Sequence, residues 1–428
     1  MSAIRQLGHQ MFASLKIRNY RLYFIGQALS NAGTWMQIVA LSWLVLQLTG
    51  SGVALGTVLA FRFLPMLLAG PFAGIVVDKF NKRHILYATQ TSLALLALAL
   101  SILVYTGTIQ IWMLYTLALV IGIVATIDNP TRQTLVHEMV GRNNVRNAVA
   151  LNSTNANVAR AIGPLIAGSL IATVGIAFCF AANAVSFCAV LFMLSRIRPS
   201  ELHHEEKESV PITNVLASIS YAASVPLIRN ILLSMLAIGM LTYEFQVSLS
   251  LLAQNTFNGT AADYASLLSA MGAGSVAGGL YSASRQTITL REFVLAALLF
   301  GVAICFTAIM PTLSLAIIGM IFVGFFSVNV TSLGSTMIQL ESLASMRGRI
   351  MSLWSTVIFG STVIGAPVIG FIGEVANARW ALAVGGATAI LAAAYTALSM
   401  RKREEPQIIE AEVEIATSAE EAKDAAAV

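Results

Sequence analysis

At 428 residues, 57% hydrophobic and 11% charged, the chain falls far below the roughly 25% charged content of a soluble protein. So few charges cannot cover a water-facing surface of this size, so lipid must solvate much of it. The net charge of +5 does not argue for a nucleic-acid partner, because Lys and Arg sit mostly at the edges of apolar stretches.

Residues 1–20 form a basic lead with Arg5, Lys16 and Arg18, and no apolar core or small-residue cleavage site marks it as a removable leader. Apolar spans follow at about 22–48, 53–77, 85–105, 110–130, 148–172, 175–195, 228–251, 263–284, 290–310, 312–337, 350–372 and 379–400. Each is long enough to cross a core of about 30 Å at about 1.5 Å per residue. Span 8 gives the weakest signal, since 271–284 is rich in Gly and Ser. An even number of spans puts both termini on one side. The segments on that side hold 22 of the 25 Lys and Arg residues, Arg62 and Arg160 lie within spans, and Arg379 alone falls on the other side. That asymmetry predicts both termini in the cytoplasm and a cell-membrane location.

The longest gap between spans, 196–227, divides them six and six. The predicted organisation is a six-helix bundle over 1–195, a cytoplasmic linker over 196–227, a second bundle over 228–400, and a cytoplasmic tail over 401–428. The tail is charged, Ala-rich and expected to be disordered. His203 and His204 in the linker read as solvated rather than metal-binding, and no metal site is expected. Residues 212–225 read as a short interfacial helix. Cys179, Cys188 and Cys305 lie in apolar spans, as packing residues do. The halves repeat: a shift of 203 residues carries Glu138 onto Glu341, Arg146 onto Arg349 and Pro164 onto Pro367.

The short loop between spans 2 and 3, within GPFAGIVVDKFNKRH at residues 70–84, carries Gly74, Asp78, Lys79, Lys82 and Arg83. It resembles the signature of the major facilitator superfamily, with Asn81 in place of a glycine that takes left-handed backbone, a conformation Asn tolerates. Further resemblance, covering about residues 16–400, is to the branch containing the bacterial enterobactin-type siderophore exporters. It is carried by RNYRLYFIGQALSNAGTWMQIVALSWLVLQLTGS, FRFLPMLLAGPFAGIVVD, IDNPTRQTLVHEMV, ARAIGPLIAG and YEFQVSLSLLAQNTFNGTAADYASLLSAMGAG. Members often have an acid where this chain has Thr34. The resemblance implies an all-α membrane fold of twelve helices in two pseudo-symmetric six-helix bundles, the major facilitator fold. It also implies a cytoplasmic gate in which Asp78 meets the N-terminus of helix 11 while Lys82 or Arg83 reaches Asp128. Gly163, Pro164 and Gly168 resemble part of the antiporter motif of helix 5, and Pro367 and Gly370 echo them in helix 11. Those five are the expected hinge at the interface of the halves.

Charges inside a membrane are costly, so each is informative. Arg62 and Arg160 come to roughly 15–18 Å depth, near the midplane, at 1.5 Å per residue. Glu244 lies in the outer half of span 7 as the only acid buried in a span, and is the expected proton-coupling group. Ser153, Asn157, Arg160 and Pro164 share one face of helix 5. Gln27, Asn31 and Thr34 form a polar row on helix 1, and Asn329, Ser332 and Thr336 another on helix 10. Lining of a water-filled cavity and hydrogen bonding between helices are the two readings of such rows. The expected solute-binding residues are Arg62, Arg160, Asn157, Ser153, Asn31 and Asn329. No nucleotide loop, metal cluster or nucleophile with a base suggests an enzyme. The expectation is a monomeric, cofactor-free secondary transporter, driven by protons, exporting a small organic solute by alternating access. An uptake permease of the same fold and a membrane sensor are the alternatives.

Overall fold

The computed structural model describes residues 12–203, 215–285, 288–343 and 346–400, without the side chains of Pro71, Phe72, Ile75, Asp78, Val215 and Leu216. The predicted tail, His204 and much of the linker lie outside the described residues.

Among them the regular structure is helix, with no strand. The first six traversing helices are α1 (Arg18–Thr49), α2 (Gly52–Lys79), α3 (Lys82–Tyr105), α4 (Ile111–Val140), α5 (Val145–Thr173) and α6 (Ile176–Ser195). A short helix, Val215–Ser224, lies where the interfacial one is expected. Then come α7 (Pro226–Leu241, Phe245–Leu251 and a π turn, Leu252–Thr256), α8 (Ala261–Ser284) and α9 (Leu290–Ile309), followed by α10 (Leu313–Glu341), α11 (Arg347–Gly360 and Thr362–Val375) and α12 (Ala378–Met400). Eleven of these are long and apolar enough to cross a membrane. The other, α8, is less apolar but runs antiparallel along α5: Gly168 meets Ala262 and Ala265, Gly272 meets Ala161, and Gly279 lies near Asn157.

Local chemistry sets the ends. Ser51 caps α2 by accepting from Ala54 N at 3.0 Å. Thr260 and Asp263 form a capping box on α8, and Thr289 and Glu292 another on α9. Gly50, at φ +64°, closes α1 in left-handed backbone. Asn81 departs from the expectation of left-handed backbone. It is extended at φ −64°, and its side chain accepts from Arg83 N at 3.0 Å, so it caps α3. Helix α4 ends ten residues later than the apolar pattern suggests. The added turns are amphipathic, and Leu135, Val136, Met139 and Val140 pack on Tyr20, Leu86 and Leu194. Apolar content marks where a helix leaves lipid, not where it ends.

Helices α1–α6 pack on one another, as do α7–α12, giving two six-helix bundles. Two seams join them: α2 against α11 and α5 against α8. Without a hydrophobic drive between helices in lipid, small residues that admit close backbones hold such seams. One tight crossing is α8 on α10, where a Cβ at Gly274 would strike the Ile321 carbonyl and one at Gly278 the Phe325 carbonyl. Gly324 meets the Met271 carbonyl in return. Because the obstacle is backbone, it cannot move aside. Gly274→Leu should cost roughly 3 kcal/mol or more and abolish the monodisperse folded fraction in detergent. Gly74→Leu is the control, since no atom lies within 4 Å of a Cβ there. Equal yield and thermal stability of the two variants would contradict this packing.

Candidate functional site

The start of α1 at Arg18 and the end of α12 at Met400 lie at one end of the molecule, here called the terminal end; the opposite end is the far end. Helix α5 presents three faces. Ala148 and Asn152, which accept from the Tyr20 hydroxyl at 2.9 and 3.1 Å, and Gly163 against Trp35 form the edge on α1. Ala161 and Gly168 form the edge on α8. Val158, Ile162 and Leu165 are exposed on the side away from both, as lipid contact requires. Ser153, Arg160 and Pro164 fall between the two packed edges, toward the interior, with Asn157 at the α8 edge. Ser153 is nevertheless exposed. Exposure on an interior face means an opening between the bundles.

The Arg160 guanidinium stacks over Trp35 of α1 at 5.2 Å. Its Nε is buried without a hydrogen-bond partner. Tyr243 of α7 stands within electrostatic reach of it and donates to the Ser327 carbonyl at 3.2 Å. Arg62 continues the buried stripe Leu55, Val58 and Leu59 on α2, so it too points inward. Among the described residues neither guanidinium takes part in an ion pair. On α1, Asn31 is half-buried and Gln27 is buried with Oε1 unpartnered. Arg62, Arg160 and Trp35 all lie roughly 15–20 Å from the far ends of their helices, at 1.5 Å per residue.

One member of the row on α10, Ser332, takes the other reading. Asn329 is 3% exposed and donates to the Phe325 carbonyl at 2.7 Å. Ser332 shares a 2.7 Å hydrogen bond with Ser282 of α8, and Thr336 donates back to the Ser332 carbonyl at 2.8 Å. Of the row, only Ser332 bonds to α8, whereas Asn329 bonds within its own helix and keeps Oδ1 buried without a hydrogen-bond partner among the described residues.

Glu244 lies where α7 is interrupted between Leu241 and Phe245, a break that apolar content does not reveal. Thr242 leaves the helix and donates to the Gly385 carbonyl at 2.7 Å. Helix α11 is interrupted at Ser361, level with this break: Gly239 meets Ser361 and Gly365 meets the Met240 carbonyl. The Glu244 carboxyl is 3% exposed, contacts Thr362 where α11 restarts, and has Oε1 unpartnered. It is not the only buried acid. Asp128 is fully buried, with Arg132 at 2.5 Å, the Thr89 hydroxyl at 2.6 Å and the Gln90 amide at 2.8 Å.

That cluster corrects the expected gate contacts. Lys82 lies 3.3 Å from Glu138, not from Asp128. The reason is the length of α4, whose extra turns carry Glu138 about 15 Å beyond Asp128 and bring it beside the α2–α3 loop. Arg83 is half-buried with Nε unpartnered among the described residues, and Lys79 is exposed over the Phe80 ring at 5.8 Å. The Asp78 side chain lies outside the described residues. Of the hinge candidates, Gly168 meets α8, and Gly370 meets Gly52 across the α2–α11 seam. Pro367 stands against Gly56 on that seam, whereas Gly163 packs on Trp35 within its own bundle. Pro164 and Pro367 are both interior to helices, at the matching positions the repeat predicts.

The two ends differ. At the far end, Gly52 and Gly56 press on Gly370 and Ala366, and farther in Phe63 stacks on Phe359 at 6.2 Å. Leu67 meets Gly360. Beyond that level, toward the terminal end, a Cβ at Gly74 or Gly348 would meet nothing within 4 Å. The α2–α11 seam is thus shut at the far end and splayed at the terminal end. A further cross-bundle contact, which the sequence reading missed, sits at the far rim. Glu374 of α11 accepts from Ser51 Oγ at 2.5 Å and from Val53 N at 2.9 Å.

Residues 9–421 match the family described as transmembrane secretion effector, in the major facilitator superfamily. The chain is 30% identical over 234 residues to the staphyloferrin A transporter of Staphylococcus aureus, an alignment covering 49% of this chain and 59% of that protein. It therefore spans less than two thirds of that relative. It is 24% identical over 362 residues to the enterobactin exporter EntS of Shigella boydii, covering 83% of this chain and 85% of the exporter. Among solved structures, a bacterial homologue of the human lysosomal transporter Spinster matches with a TM-score of 0.72 at 12% identity, over 90% of this chain and 96% of the other. At that identity the likeness concerns the fold.

Proposed function

The chain belongs to the transmembrane secretion effector family of the major facilitator superfamily, and from that membership we propose that it exports a small organic anion across the cell membrane by alternating access. The halves rock about the midplane, and the terminal end is the cytoplasmic one. The positive-inside distribution of Lys and Arg supports the orientation. The names of the relatives, a staphyloferrin transporter and an enterobactin exporter, support a chelating, siderophore-like cargo.

One observation carries the choice of anion. Two arginines, Arg62 and Arg160, face the interior near the midplane without a carboxylate partner among the described residues. Trp35 offsets part of the cost for Arg160 through its ring face. The edge of that guanidinium stays available, and a guanidinium binds carboxylate or catecholate oxygens bidentately. In a low-dielectric cavity a surplus of positive charge favours an anion and repels a cation.

Glu244 is proposed as the proton-coupling acid. Its support is position: it lies at the point where interrupted α7 meets interrupted α11, so a change in its charge acts on both helices at once. The Asp128 cluster is a poorer candidate, because Arg132 and two further donors already hold its carboxylate.

The test uses purified protein in liposomes and two flat dyes of similar size, anionic carboxyfluorescein and cationic rhodamine 6G. The anion should bind more tightly, and Arg160→Gln should weaken it about tenfold, some 1.4 kcal/mol. Tighter binding of the cation, or no change in Arg62→Gln and Arg160→Gln, would overturn the reading. Separately, Glu244→Gln should abolish uptake driven by a pH gradient while sparing exchange of labelled for unlabelled solute. Unchanged gradient-driven flux in that variant would remove Glu244 from the mechanism.

A further inference from the structure

Helix α2 begins at the far end with no acid in its first turn. Its unpaired backbone N–H groups and the positive end of its dipole call for an anion. The anion present comes from the other bundle. Glu374, the penultimate residue of α11, accepts from Ser51 Oγ at 2.5 Å and Val53 N at 2.9 Å. The contact spans 323 residues of chain and crosses the α2–α11 seam at its far rim. Below it that seam is shut, through Gly52 and Gly56 against Gly370 and Ala366, while its other end stands open at Gly74 and Gly348.

The pattern has a counterpart. Asp78 is the penultimate residue of α2, as Glu374 is of α11. Helix α11 also starts without an acid in its first turn. Each of the two seam helices therefore ends in an acid at the rim where the other begins.

We infer that Glu374 is a positioning residue of the transport cycle, a latch that holds the far end closed by capping α2 from the opposite bundle. A charge-assisted cap is short and directional, so it is made only when the two helix ends abut. Glu374 is also exposed, so water can take over its carboxylate when the ends part. The latch is thus a reversible contact, unlike the backbone-on-backbone packing below it. It touches no solute and acts only through the balance between the two facing states. It stands whether or not the cargo is an anion.

The experiment uses the full chain in lipid nanodiscs, with Cys179, Cys188 and Cys305 replaced. Spin-label pairs report distance at each end: Thr108 with Pro311 at the far end, and Asn143 with Gly348 at the terminal end. In Glu374→Gln the far-end distance should lengthen and the terminal-end distance shorten. The ratio of far-end-open to far-end-closed molecules should rise roughly tenfold, the weight of one charge-assisted hydrogen bond. Ser51→Ala, which removes one of the two contacts, should shift both distances the same way by less. Glu374→Asp, which keeps the charge, should restore part of the wild-type distribution. Distributions in Glu374→Gln that match the wild type would overturn the inference. So would lengthening at both ends together, which is the mark of a lost structural staple rather than a released latch.

Discussion

Inside a bilayer no water answers a polar group, so each must be met by protein, by a water-filled cavity or by cargo. Most of the buried polar groups are met by protein. Gln37 accepts from the Asn183 amide at 2.7 Å, Ser101 donates to the Ala177 carbonyl at 2.9 Å, and Ser234 shares a 2.7 Å hydrogen bond with Thr396. These bonds tie helices together within each bundle. Among the exceptions, Gln27, Arg160 and Glu244 each keep a buried polar atom without a partner, as do Arg83, Gln90, Gln254, Ser269 and Asn329, and Arg62 has no ion pair among the described residues. Groups left unanswered inside a membrane protein mark where something else arrives.

The second requirement is that the interior be reachable from one side at a time. Two seams of small residues serve this. Gly, Ala and Pro bring α2 close to α11 and α5 close to α8, with Phe63 on Phe359 and Leu67 on Gly360 as larger contacts on the first seam. Such a surface can close at one end while it parts at the other, as the α2–α11 seam does. The interruptions in α7 and α11 meet on the second bundle's side of the interior, where a buried carboxyl sits between them. Irregular backbone at membrane depth is tolerated where protein covers it or a cavity receives it.

Much of this architecture was legible in the sequence, because lipid imposes long apolar helices whose ends carry the charges. Even Gly-rich α8 follows, since two close neighbours supply the packing its composition requires. The polar row on α5 was readable from helical periodicity alone. The row on α10 shows the same pattern, yet its Ser332 bonds to Ser282 of α8, and periodicity cannot tell a cavity from a neighbouring helix. The Lys82–Glu138 pair was missed because α4 runs on past its apolar stretch. The break at Thr242–Glu244 contains no Gly or Pro to betray it. Glu374 had a signal that could have been used: it is an acid at the end of helix 11, matching Asp78 at the end of helix 2.

The account rests on a water-filled interior open at the terminal end and shut at the far end. Ser153 is the residue to probe, as it is exposed on an interior face of α5. A Ser153→Cys variant in an otherwise cysteine-free chain, in sealed vesicles of known orientation, is treated with a membrane-impermeant thiol reagent from each side in turn. Labelling should occur from the side bearing the termini and be slow from the other. Equal labelling from both sides, or labelling from the far side alone, would contradict the account.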